Sequence, residues 1–318
     1  MSGRQRIMMA RLCSLALSLV VGLALCPIAH SDDLEAKAKY VSSDQDFTTY
    51  YGVPYTDEVS ELRHQADIYL PTGKGPFPTL LMVHGGAWFS GNKAHVSLHA
   101  RHAAKSGFAV VAINYRLAPA HPFPAQLDDC KLALSWIQAN ADQLSFDTDR
   151  IAGYGYSAGA HLVGLLATTQ NDADNDKLEP DDRATLKAVV CGGTPCEFSW
   201  IPLRSERLAF WLGGSREKMP DAYEKASPLS FADAGDPPIF MFHGDADRIV
   251  PISSPQKMKQ RLDQAGVDAE LFVIPKADHL RGFINEEARK SAIEFLAKKL
   301  NTKVLDAKPL PVKTTTQK

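Results

Sequence analysis

Four short stretches carry residue types that together perform nucleophilic acyl transfer. The first is Gly155-Tyr156-Ser157-Ala158-Gly159. It follows the apolar run Ile151–Tyr154 and precedes a helical pattern over Ala158–Thr169. A serine at a sharp strand-to-helix turn is pushed out above the sheet, and glycine two places before and after leaves room for close packing. The second is His84-Gly85-Gly86-Ala87-Trp88, after the run Thr79–Val83. Acyl transfer generates an oxyanion, which needs preorganised backbone N–H donors. Two glycines let the backbone approach without a Cβ in the way. Gly85, Gly86 and Ala158 are the candidate oxyanion-hole donors, with Ala87 as a further one.

The third stretch, His243-Gly244-Asp245-Ala246-Asp247, follows the run Ile239–Phe242. A carboxylate there can hold an imidazole in the productive tautomer. Asp247 is the candidate and Asp245 its rival. The fourth is Pro275-Lys276-Ala277-Asp278-His279, just past Ala269–Ile274; His279 is the candidate base and Asp278 reads as a loop residue. The order Ser157, Asp247, His279 is the chain order of nucleophile, acid and base in α/β-hydrolases. All three follow apolar runs, so in a parallel sheet they share one edge, where ligands bind. Trp88 and Tyr156, beside the oxyanion loop and the nucleophile, are candidate substrate-binding residues.

The elements that must position these groups are legible as runs of Val, Ile, Leu and Phe. Thr79–Val83, Phe108–Ile113, Ile151–Tyr154, Leu186–Val190, Ile239–Phe242 and Ala269–Ile274 are continuously apolar, as strands covered on both faces are. Helical patterns at Gln126–Ala141, Ser254–Ala265 and Asn285–Leu300 lie between or after them. This alternation predicts an α/β class, a doubly wound, mostly parallel sheet. His64–Leu70 alternates and stops at Pro71, reading as a half-buried or edge strand. Residues 32–60 are polar and read as a lead-in with one strand near its end. The segment 198–237 is too long for a bare loop and reads as a small cap insertion with helices of its own. Its aromatics, Phe198, Trp200, Phe210, Trp211 and Tyr223, fit either a pocket wall or the cap's core.

The chain has 318 residues, 45% hydrophobic and 23% charged. Residues 1–31 have the layout of a secretory signal peptide: Arg4, Arg6 and Arg11, an uncharged run over Leu12–Cys26, then Ala29-His30-Ser31. The run is short for a membrane span, so a stable span in the mature chain is not expected and the protein is placed outside the cytoplasm, secreted or periplasmic. Without that segment 32 basic residues face 37 acidic ones, a net charge of −5. A mildly acidic chain without a basic stripe does not suit nucleic acid. Residues 32–300 form the expected catalytic domain, and the polar tail 301–318 reads as disordered. Of the cysteines outside the leader, Cys191 and Cys196 permit a short bridge in an oxidising compartment; three buried thiols are the equal alternative.

Together, His84-Gly85-Gly86, Asn114-Tyr115-Arg116-Leu117-Ala118-Pro119, Gly155–Gly159 and His243–Asp247 resemble the α/β-hydrolase esterases related to hormone-sensitive lipase. The form His-Gly-Gly-Ala-Trp is similar to that of bacterial acetyl and feruloyl esterases and of arylformamidases. The resemblance implies a serine carboxylesterase acting on a small-molecule or carbohydrate ester, with acetyl-type groups as the first expectation. It implies a structural role for Asn114–Pro119, and no cofactor or metal. An arylformamidase-like amide hydrolase and a non-catalytic binding protein on a hydrolase scaffold are the alternatives. His95, His99 and His102 share one helix face at a ligand-compatible spacing but read as a polar face. Asp172, Asp174 and Asp176 imitate a calcium loop that lacks its Gly and Glu, and read as a solvated acidic loop. His161 reads as a packing residue.

Overall fold

The computed structural model describes residues 31–56, 63–171 and 185–305. The leader, the acidic stretch at 172–176 and the tail beyond 305 lie outside the described residues. The chain opens with helix α1 (Ser31–Lys37) and strands β1 (Tyr40–Ser43), β2 (Phe47–Pro54), β3 (Gln65–Pro71) and β4 (Phe77–Val83). Then come α2 (Ser97–Lys105), β5 (Ala109–Ile113), α3 (Ala125–Ala139), α4 (Ala141–Leu144), β6 (Phe146–Tyr156), α5 (Ala158–Thr169) and β7 (Ala188–Gly192). The last part holds α6 (Ala209–Leu212), α7 (Pro220–Lys225), α8 (Pro228–Phe231), β8 (Ile239–Gly244), α9 (Ser253–Ala265), β9 (Ala269–Ile274), α10 (His279–Ile284) and α11 (Glu286–Lys299).

The strands form one sheet in the order β1-β2-β3-β5-β4-β6-β7-β8-β9. From β5 to β9 neighbours run parallel, and β1, β2 and β3 are antiparallel. The six apolar runs are the six parallel strands. Their side chains alternate between two cores: Leu81 and Val83 face α3, α5 and α9, while Leu80 and Met82 face α2 and α11. In the five inner parallel strands both faces are covered, which is why they show no polar alternation, while β9 is a part-exposed edge.

One strand assignment differs from the sequence reading. The strand at 65–71 is not an edge: β1 and β2, within the stretch that reads as polar lead-in, lie outside it. Thr48, Thr49, Tyr50 and Tyr51 are good strand residues whose aromatic and β-branched faces half-bury without a clear apolar period. After α11 residues 301–305 are mostly exposed, and the Leu305 N–H donates to the Ser106 carbonyl. Cys130, Cys191 and Cys196 are buried free thiols, so the bridge alternative is not realised.

The segment 198–237 contains α6, α7 and α8 and buries Phe198, Trp211 and Tyr223. Between β6 and α5 the backbone turns at Ser157, with φ 54° and ψ −123°. The turn is tight because Gly159 lies against the end of β4: a Cβ there would stand 2.0 Å from the Val83 carbonyl oxygen. All twelve residues of α5 are buried, a helix apolar on every side.

Gly159→Ala therefore forces backbone apart rather than a flexible side chain. The expected cost is about 2–3 kcal/mol, or a Tm lower by roughly 5–10 °C in a domain of this size. Thermal unfolding of the variant checks this, and a Tm within about 1 °C of the parent would contradict it.

Candidate active site

Ser157, His279 and Asp247 arrive from the C-terminal ends of β6, β9 and β8. The acid is held most firmly. Asp247 Oδ1 accepts the N–H groups of Ile249 and Val250 at 2.8 and 3.0 Å. Its Oδ2 accepts His279 Nδ1 at 2.6 Å, with His243 Nε2 at 3.3 Å. Burial pushes this carboxyl up, but the hydrogen bonds from His243, His279 and the Val250 amide outweigh it and hold the group well below the usual carboxylate range. Because Nδ1 of His279 is engaged by a carboxylate, Nε2 is the nitrogen left for proton transfer. Ser157 and His279 line one cavity of about 590 Å³. Among the described residues no hydrogen bond joins the two side chains directly.

Asp245 serves the neighbouring turn instead, where its Oδ1 accepts the Lys276 N–H at 2.5 Å. Asp278 is the N-cap of α10, accepting the Arg281 N–H at 2.8 Å. His279 is thus the first residue of a short helix. His243 belongs to the motif that carries Asp247, yet sequence reasoning assigns it no role. It is fully buried and donates from Nε2 to the Val250 carbonyl at 2.9 Å, bracing the loop that carries Asp247. Its position at the end of β8, four residues before the acid, is the available signal.

The loop Gly85–Trp88 is strained. Gly86 has φ 124°, and Ala87 and Trp88 follow at 50° and 63°, left-handed values unusual for residues with a Cβ. A Cβ at Gly86 would stand 2.1 Å from the Ser90 carbonyl oxygen. Among the described residues the backbone N–H groups of Gly85, Gly86, Ala87 and Ala158 donate to no protein acceptor. These residues surround Ser157: Gly85, Gly86 and Ala87 line the 590 Å³ cavity, and Ala87 and Ala158 line an adjoining one of about 400 Å³. Unpaired donors at a cavity wall and at the start of α5 are what a developing oxyanion requires. Below the loop, His84 stacks on Tyr115 at 4.2 Å between ring centroids, and the Tyr115 hydroxyl donates to the His84 carbonyl at 3.0 Å.

Trp88 and Tyr156 sit deeper than surface binding residues. Trp88 is 4% exposed, stacks on Trp211 at 3.8 Å and donates from Nε1 to His161 Nδ1 at 3.2 Å. His161 in turn donates from Nε2 to the Ala226 carbonyl at 2.6 Å. This chain ties the strained loop to the 198–237 segment. Tyr156 donates to the carbonyl of His279 at 2.5 Å, fixing the first residue of α10. Each also contributes surface to a cavity, Trp88 to the smaller and Tyr156 to the larger. The His95, His99 and His102 face holds no cluster of metal-binding side chains among the described residues. Both ring nitrogens of His99 are engaged, with the Tyr154 hydroxyl at 2.8 Å and the Phe283 carbonyl at 3.0 Å.

Burial depresses three of these histidines, His84 and His99 to about 3 and His161 to about 4. Each is neutral in the fold, whereas in the unfolded chain it takes up a proton below about pH 6.5. The unfolded state then binds more protons, so each imidazole destabilises the fold by about 1.4 kcal/mol per pH unit as pH falls from 6.5 towards its folded value. Urea midpoints measured between about pH 7 and 4.5 should fall steeply; a flat profile would contradict the neutral assignment. Tyr156→Phe is expected to lower kcat about tenfold with little change in KM, since it loosens the base and not a substrate contact; a change in KM alone would contradict the positioning role.

The BD-FAE family model matches residues 66–262, more than half of the chain. Among curated proteins, the probable carboxylic ester hydrolase LipM of Mycobacterium tuberculosis is 33% identical over 253 residues, covering 74% of this chain and 58% of LipM. Esterase LipC of the same organism is 32% identical over 198 residues, covering 59% of this chain and 48% of LipC. The chain thus spans about half the length of the curated relatives it matches. Among solved structures, a truncated form of a carbohydrate esterase from gut microbiota superposes with a TM-score of 0.75 at 27% identity, covering 82% of this chain and 99% of that one. With the parallel sheet, the turn at Ser157 and these likenesses together, the chain belongs to the BD-FAE family and carries the α/β-hydrolase fold.

Proposed function

We propose that the protein is a serine carboxylesterase working through a covalent acyl-enzyme. The observation that carries this reading is the meeting, at one cavity, of a serine on a left-handed turn, an imidazole hydrogen-bonded to a carboxylate, and unpaired backbone N–H groups. In this mechanism His279 Nε2 takes the proton of Ser157 as its Oγ attacks the ester carbonyl. The N–H groups of Ala158 and of Gly86 or Ala87 stabilise the oxyanion. Asp247 stabilises the imidazolium, which then protonates the leaving alcohol. Water repeats the sequence on the acyl-enzyme.

The proton must reach the leaving oxygen, so the alcohol lies on the side of His279, in the 590 Å³ cavity with Leu280 and Phe283. The acyl group then enters the 400 Å³ cavity, which contains Ser157 but not His279. Acetyl esters are accommodated there with space to spare, and acyl chains of about six carbons fit such a volume. Similarity to the gut-microbiota carbohydrate esterase supports a sugar alcohol as leaving group. Formamide hydrolysis is the second reading: its arylamine would be the leaving group on the side of His279, where Phe89 and Phe283 line the larger cavity. The basic, then apolar, N-terminal segment supports export from the cytoplasm, and no described helix is long and apolar enough to cross a membrane.

Ser157→Ala and His279→Ala are expected to lower kcat by about three to six powers of ten, and Asp247→Asn by about two to four. Assays on nitrophenyl esters of increasing chain length, acetylated xylan and an N-formyl arylamine check both the mechanism and the leaving group. A folded Ser157→Ala variant with full activity would overturn it.

A further inference from the structure

The acyl-side cavity contains a feature that a neutral acyl chain does not use. Its walls are apolar and aromatic, yet Arg207 and Arg248 also line it, and no Asp or Glu does. The two arginines come from separate parts of the chain: Arg207 from the segment before α6, Arg248 from the residue after Asp247. Both are exposed. Among the described residues neither forms an ion pair, and neither guanidinium lies over an aromatic ring. Two other bases of the same insertion are paired: Arg204 with Glu217 at 3.1 Å and Lys218 with Glu206 at 3.0 Å. Charge pairing is therefore available to this segment, but among the described residues it is absent at the cavity.

Two unpaired guanidiniums beside an apolar cleft focus positive potential into it. A guanidinium offers forked donors that fit a carboxylate in two parallel hydrogen bonds. We infer that this cavity selects acyl groups that end in a carboxylate, so that the preferred substrates are half-esters of dicarboxylic acids. The hydrocarbon stem lies against Phe198, Phe210 and Leu208, and the anionic end meets Arg207 and Arg248. The inference rests on the esterase reading of Ser157 and adds to it a charge on the acid part of the ester. An apolar pocket without the arginines would reject such a chain, because burying an unpaired carboxylate is costly.

Ethyl hexanoate and monoethyl adipate test it directly: both release ethanol, and they differ by a methyl against a carboxylate at the chain end. The readout is the ratio of kcat/KM for adipate to that for hexanoate. In the parent the ratio should be near or above one. In R207Q/R248Q it should fall about tenfold, the factor two exposed ion pairs supply between them, with each single variant in between. About 0.5 M NaCl should lower the parent's ratio but not the double variant's. If a glutamine variant unfolds, Arg→Lys at the same position, which keeps the charge and loses the fork, should lower the ratio by a smaller factor. The same ratio in parent and double variant would overturn the inference, as would hydrolysis of neither ester by a protein whose Ser157 still reacts with a fluorophosphonate. A protein inert to every ester, with Ser157 unlabelled, would overturn the esterase reading instead.

Discussion

The contact between Gly159 and the end of β4 governs the rest of the molecule. It brings the first turn of α5 against the Val83 and His84 carbonyls at a distance that no side chain tolerates. The backbone between β6 and α5 then has only one way to turn, and Ser157 takes the left-handed angles that result. The consequences are chemical. The hydroxyl stands clear of the sheet, and the Ala158 N–H, at the start of a helix, is left without an acceptor among the described residues. The cavities on either side of Ser157 exist because the serine projects between them.

A second strained segment faces the first. Ala87 and Trp88 occupy left-handed angles that residues with a Cβ rarely adopt. The structure does not relieve this strain by sequence; it holds it by packing. Trp88 is clamped between Trp211 and the imidazole of His161, and His84 is stacked on Tyr115. The insertion that supplies Trp211 and the Ala226 carbonyl therefore supports the candidate oxyanion donors as well as lining the smaller cavity. Buried neutral histidines serve this purpose because each offers one donor and one acceptor at fixed separation, at the cost of stability in acid.

The parallel strands, the turn at Ser157 and the approximate place of His279 are legible in the sequence because each has a local cause: an apolar run, a glycine pair, a strand end. The choice of Asp247 over Asp245 follows from loop position alone, and the structure shows why the distinction matters, since Asp245 is engaged by the Lys276 amide. Less is legible where the cause is distant. The polar stretch before residue 60 announces one strand near its end, where β2 lies, and not β1, a short exposed edge strand held by its pairing with β2. Sequence neighbours alone mark Trp88 and Tyr156 as binding residues. Their hydrogen bonds run instead to His161 and to the His279 carbonyl, 73 and 123 residues away. The meeting of Arg207 with Arg248 at one cavity is equally invisible, because it joins an insertion to the loop that carries Asp247.

The central claim is that Ser157 becomes acylated. Mixing the protein with a slowly deacylating nitrophenyl ester, quenching in acid within the first turnover and mapping the peptides by mass spectrometry tests it most directly. One acyl group is expected, on the peptide that contains Ser157, with a burst of nitrophenol equal to the enzyme concentration. A burst without acylation of that peptide, or acylation at another residue, would contradict it.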